Sequence, residues 1–148
     1  MLPETACIFC AIIAGEAPAS VVYRDAVCCA FMDIQPVNPG HLLVVPLAHA
    51  VGLADLDAET GAQLMRVAQR LAGAVRAASE LRCEGVDLLL ADGAAAGQEV
   101  FHVHLHVIPR YAGDGFGFHF GPDYDRRPAR AELERVAALV RGRLGGGG

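Results

Sequence analysis

The run His102-Val103-His104-Leu105-His106-Val107, followed by Ile108-Pro109, alternates polar and apolar side chains. Period two is the mark of a strand, so one strand is expected over residues 100–108, with Pro109 ending it. The three imidazoles then share one face, while Val103, Leu105 and Val107 point the other way into a core. Same-face residues lie about 6.5–7 Å apart along a strand, which lets two imidazoles address opposite sides of one phosphate. A solvated strand face that uses histidine as its polar residue is the plain alternative. It is disfavoured because the run takes three of only six histidines in the chain. A three-histidine metal site is also disfavoured, since three successive same-face residues are nearly collinear and converge poorly on one ion.

Upstream of this strand lies Gly93-Ala94-Ala95-Ala96-Gly97-Gln98. Its glycines let the backbone curl and present N–H donors, and Gln98 adds an amide. Alone such a loop reads as a turn; opening onto three histidines, it reads as a phosphate loop. Residues 86–91 form the strand before it. Earlier still, Leu64, Ala68, Leu71, Val75 and Ala78 recur at intervals of three and four, which predicts a helix over residues 58–81 with Asp57 as N-cap. Three short strands are expected before that helix, at 21–24, 27–32 and 41–46, the first two joined at Arg24-Asp25. Cys7 and the residues that follow make one or two helical turns, which Gly15-Glu16-Ala17-Pro18 breaks. After Pro128, Leu133, Val136, Ala137, Val140 and Leu144 mark a last amphipathic helix. Consecutive strands with one long helix inserted before the last two favour an α+β fold on a largely antiparallel sheet.

The chain has 148 residues, 53% of them hydrophobic, and a net charge of -5. That length suits a single domain, taken as residues 1–144, with a flexible glycine tail at 145–148. No basic block exists to grip a nucleic acid polymer, whereas a nucleotide-sized ligand needs only local donors. No membrane span or secretory leader is read. Five cysteines, with Cys28 and Cys29 adjacent, make a poor disulfide framework, so a reducing, cytoplasmic compartment is expected. The pair Cys7-x-x-Cys10 is half a metal site or two unmetallated thiols.

The segment from Ala96 to Arg110 resembles the signature of the histidine triad superfamily, His-x-His-x-His preceded by Gly-Gln. Cys7-Ile8-Phe9-Cys10, the run from Phe31 to Pro36 and the run from Pro39 to Pro46 are similar to further motifs of its bacterial members, in the same order. The resemblance implies a five-stranded antiparallel sheet with one long helix and a C-terminal helix, usually paired into a homodimer. It implies an enzyme in which His104 attacks the α-phosphorus of a nucleoside phosphoramidate or dinucleoside polyphosphate, and water then releases the monophosphate. His106 and the N–H groups around Gly97, Gln98 and Glu99 would hold phosphate oxygens. Asp33 would accept the ribose hydroxyls, and Ile34 would meet the base. A structural zinc would be held by Cys7, Cys10, His49 and His102, with His41 and His119 as alternative ligands. Ala91, where many relatives carry Asn, cannot donate a side-chain hydrogen bond, and Glu99 adds negative charge beside the loop. A nucleotide-binding regulatory module with incidental turnover and a zinc-dependent metallohydrolase are the competing functions.

Overall fold

The structure is a computed structural model that describes residues 7–145. The chain divides into two compact units, Met1–Phe116 and Gly117–Gly148.

In the first unit, helix α1 (Ile8–Ile13) precedes strands β1 (Val21–Arg24), β2 (Cys28–Met32) and β3 (Leu42–Pro46). The long helix α2 (Ala58–Ala77) follows, and then β4 (Gly85–Leu89) and β5 (Leu105–Arg110). The five strands form one sheet in the order β1-β2-β3-β5-β4, and every neighbouring pair is antiparallel. The first hairpin closes on Asp25, whose carboxylate accepts the N–H groups of Val27 and Cys28, each at 2.7 Å. A short polar side chain that bonds its own backbone is what such a turn requires.

Each face of the sheet carries a packed cluster. Cys28, Ala30, Leu42, Val44, Val103 and Val107 pack with Leu64, Val67, Ala68 and Val75 of α2. Burying a large apolar side chain stabilises by about 1.5–3 kcal/mol, so this face anchors the fold. On the other face Phe9 of α1 packs with Cys29, Phe31, Leu43 and Val45. Asp57 caps α2 as expected, accepting the Thr60 N–H at 3.1 Å.

Several boundaries differ from the sequence pattern, β2 and β3 each by a start one residue later. Helix α2 stops at Ala77, not at residue 81, because Ala78 turns to an extended conformation. Leu81 still packs against the core, but from the following turn, which is why it extended the helical pattern. The final strand of the sheet is Leu105–Arg110 and not residues 100–108. Its ladder with β3 spans only Leu105 to Val107, while Val103 hydrogen-bonds Ala50 outside the ladder. Pro109 lies past the last β3 pair, opposite Val86 of β4, and so sits inside the strand where its missing N–H breaks no β3 bond. Strand β4 begins and ends slightly earlier than the expected 86–91.

The second unit carries helix α3 (Arg130–Leu144), which starts after Pro128 as expected. None of its residues is buried, and Leu133, Val136, Val140 and Leu144 remain exposed. Phe120 stacks on Tyr124 with ring centroids 3.7 Å apart. Gly145 is the C-cap of α3, and the rest of the expected tail, 146–148, lies outside the described residues. Among the described residues no helix is long and apolar enough to cross a membrane.

Candidate active site and metal centre

The N-terminal helix, the loop after β3 and the approach to β5 converge on one cluster. Cys7 is the N-cap of α1 and its thiol accepts the Cys10 N–H at 3.5 Å, which turns both cysteines to the same side. Cys7 Sγ lies 3.5 Å from His102 Nδ1, and Cys10 Sγ lies 3.3 Å from His49 Nδ1 and 3.6 Å from His102 Nδ1. The two Nδ1 atoms are 3.2 Å apart. A tetrahedral zinc with bonds of about 2.0–2.1 Å to nitrogen and about 2.3 Å to sulfur has N–N edges of about 3.3 Å and N–S edges of about 3.5 Å. The donor set and its spacings therefore fit a four-coordinate zinc.

His102 is fully buried, and its Nε2–H donates to the Pro46 carbonyl at 2.8 Å. A carbonyl only accepts, so the neutral ring keeps its lone pair on Nδ1, facing the cluster. Burial, with the Pro46 hydrogen bond opposing it, holds this imidazole below its ordinary pKa, which favours the neutral, ligating form. Neither His41 nor His119 belongs to this cluster. His119 is exposed in the second unit.

His104 is buried and its Nδ1–H donates to the His102 carbonyl at 2.8 Å. By the same reasoning its lone pair is on Nε2, the atom a nucleophile needs. The ring of His106 stands beside it, with centroids 5.0 Å apart. Behind His106 is a side chain read from the sequence only as an alternative zinc ligand: His41, whose Nε2 is 2.8 Å from His106 Nδ1. His41 Nδ1 accepts the Val37 N–H at 3.0 Å, so the proton of neutral His41 is on Nε2 and points at His106. His106 Nδ1 is then an acceptor, and its own proton is on Nε2. Burial, then the neighbouring His104 and His41, push His106 down to about 4, so it is neutral at pH 7. Burial also lowers His41, against the pull of Asp33.

Asp33 follows β2, with one carboxylate oxygen accepting the Gln35 N–H at 2.8 Å and the other 3.5 Å from His41 Nε2. Ile34 beside it is 97% exposed, so its apolar side chain has no packing role among the described residues. The loop before β5 takes the curled form its glycines allow. Gly93 and Gly97 have φ of +94° and +93°, flanking a single 3-10 turn over Ala94–Ala96.

Gln98 departs from its expected use. It is buried, its Oε1 accepts the Gly93 N–H at 2.8 Å, and its Nε2 donates to Val51 O at 2.7 Å and Val100 O at 3.1 Å. Its backbone N–H bonds Gly93 O at 3.1 Å. Gln98 therefore shapes the loop and pins it to the segment after β3. Glu99 is exposed beside it. At Gly52, in that segment, a Cβ would meet Asp92 Oδ1 at 2.5 Å, so a larger residue would displace the carboxylate that accepts the Leu53 N–H.

The HIT domain family model matches residues 14–113. An uncharacterized HIT-like protein of Borreliella burgdorferi is 43% identical over 115 residues, covering 78% of this chain and 83% of its own length. The crystal structure of a zinc-bound histidine triad family protein from Mycobacterium smegmatis is similar with a TM-score of 0.73 and 40% identity, over 92% of this chain and 99% of that one. A histidine triad nucleotide-binding protein from Candida albicans is similar with a TM-score of 0.82 and 27% identity, over 95% and 98%.

Proposed function

The chain belongs to the HIT domain family, and on that premise we propose that it is a nucleotide hydrolase or transferase in which His104 attacks the α-phosphorus. The substrate is a nucleoside phosphoramidate or dinucleoside polyphosphate. The observation that carries this reading is the hydrogen bond from His104 Nδ1 to the His102 carbonyl, which leaves Nε2 as the lone-pair atom of a buried imidazole.

In the first displacement the Nε2 lone pair forms a bond to phosphorus, and the bond to the amine nitrogen or phosphate oxygen breaks. The leaving atom departs with the bonding pair and takes up a proton. In the second, water attacks the same phosphorus, the His104 nitrogen leaves with its electron pair, and the monophosphate and a proton are released. His106, neutral with its proton on Nε2, donates to the phosphate, an uncharged but positioned donor of the kind that stabilises developing charge. Asp33 accepts the ribose hydroxyls and Ile34 meets the base; the Gly97 and Gln98 N–H groups bond the carbonyls of Ala94 and Gly93, which leaves the Glu99 N–H of this loop for a phosphate oxygen.

Cys7, Cys10, His49 and His102 would hold a structural zinc, whose contribution is to tie α1 to the approach to β5. Four protein ligands close a tetrahedron, which leaves no open position for a metal-bound nucleophile and disfavours the metallohydrolase. The zinc-bound relative from Mycobacterium smegmatis supports the metal, and the nucleotide-binding relative from Candida albicans supports the ligand class. A second copy would extend the sheet at β4, an edge strand with Leu88 and Leu89 exposed.

Rapid mixing with adenosine 5′-phosphoramidate, quenching in base and mass spectrometry should find a nucleotidyl adduct on His104. His104→Ala should give no adduct and almost no turnover. Full activity in that variant, or an adduct on another residue, overturns the assignment.

A further inference from the structure

Phe9 stands between the two cysteines of α1 in sequence, and its ring is only 7% exposed. It meets three rings: Phe31 at 5.4 Å, His102 at 5.8 Å and His104 at 5.2 Å, the two imidazoles each at an interplanar angle of 78°. The His102 carbonyl fixes one atom of the His104 ring, but a single hydrogen bond leaves the plane free to rock about it. Among the described residues, Phe9 and His106, with centroids 5.2 and 5.0 Å from that of His104, are the two rings against the imidazole. We propose that Phe9 is a positioning residue that holds the His104 plane for in-line attack, with Cys7 and Cys10 on either side setting where Phe9 stands.

The proposal rests on His104 being the nucleophile. In-line displacement is sensitive to angle, and a misplacement on the order of 1 Å can cost about a hundredfold in rate. Because Phe9 is already buried against protein rings, its effect falls on the chemical step and not on substrate affinity.

The test compares Phe9→Leu, which keeps an apolar side chain but loses the flat wall, with Phe9→Tyr, which keeps the ring. With adenosine 5′-phosphoramidate, Phe9→Leu should lower the single-turnover rate of adduct formation on His104 about tenfold, with KM within about twofold of the parent. Phe9→Tyr should retain the rate within about threefold. An unchanged rate in Phe9→Leu, a rise in KM alone, or an equal loss in both variants overturns the proposal. A measurement on the unmodified protein stands beside these should Phe9→Leu not fold. Nuclear Overhauser contacts between the Phe9 ring and the His104 imidazole are expected, and their absence overturns the placement. An adduct on a residue other than His104 in the parent protein overturns the functional reading, and this inference with it; wild-type kinetics in Phe9→Leu overturn this inference alone.

Discussion

His104 Nδ1 donates to the backbone carbonyl of His102 at 2.8 Å, so the residue whose side chain enters the Cys/His cluster also sets, through its main chain, the tautomer of the proposed nucleophile. The Cys/His cluster and the proposed reactive nitrogen are thus two ends of one residue pair. Loosening the approach to β5 disturbs both.

From this coupling, Cys7→Ser should reduce bound zinc well below the about one ion per chain expected of the parent protein, and should lower the melting temperature. The chemical step should change less than the stability. Metal analysis with calorimetry checks it, and a zinc-free parent protein from zinc-replete medium would sink the prediction.

His41→Ala removes the donor that stands 2.8 Å from His106 Nδ1. Loss of a single such bond is worth about 1 kcal/mol, so kcat should drop roughly fivefold while zinc content stays at the parent level. An unaltered kcat would show that the His41 contact has no part in turnover.

His106 is pushed down to about 4 from its ordinary 6.5, so between those values the unfolded chain binds a proton that the folded chain does not. Stability is therefore full above about pH 6.5 and is lost as pH falls toward about 4. Denaturant titrations across that window should give a shallower pH slope for His106→Gln than for the parent. Equal slopes would count against the burial argument.

Asp33→Ala removes the carboxylate proposed to accept the ribose hydroxyls. Hydrogen bonds to a charged acceptor contribute about 1.5–3 kcal/mol, so KM for a ribonucleotide substrate should rise at least about tenfold, with a weaker preference over simple phosphate esters. The same KM and the same preference would show the sugar binds elsewhere.

Away from the site, Arg110 grips Asp114 through Nε at 2.6 Å and Nη2 at 2.9 Å, and Asn38 also donates to Asp114 at 2.8 Å. Foremost the Arg110 hydrogen bonds hold this carboxyl well below the usual carboxylate range. A depressed carboxyl stabilises above its unfolded pKa, about 3.9, and that stability is lost as pH falls further. Asp114→Asn should thus lower the melting temperature at pH 7 and flatten its decline in acid. A variant that melts with the parent at both pH values would contradict this.

What the sequence by itself determined was everything that depends on near neighbours along the chain. The alternation from His102 to Val107 put Val103 and Val107 into the core and the imidazoles on the other face, because covalent geometry alone sets a period of two. The Cys7-x-x-Cys10 spacing likewise brought two thiols to one side of a short helix, and the motif pattern implied their meeting with His49 and His102. Only the tertiary structure decided which nitrogen of His102 and of His106 is available, whereas His104 is set by a carbonyl two positions away. His102 is set by Pro46, 56 positions away, and His106 by His41, 65 positions away, and no local pattern encodes a partner at that distance. Gln98 shows the same limit: its amide was legible as a donor, but carbonyls contributed by a distant segment and by its own loop decided where it donates. Pro109 was legible as a strand breaker, yet it sits within β5, because the neighbour whose ladder it would have broken has already ended.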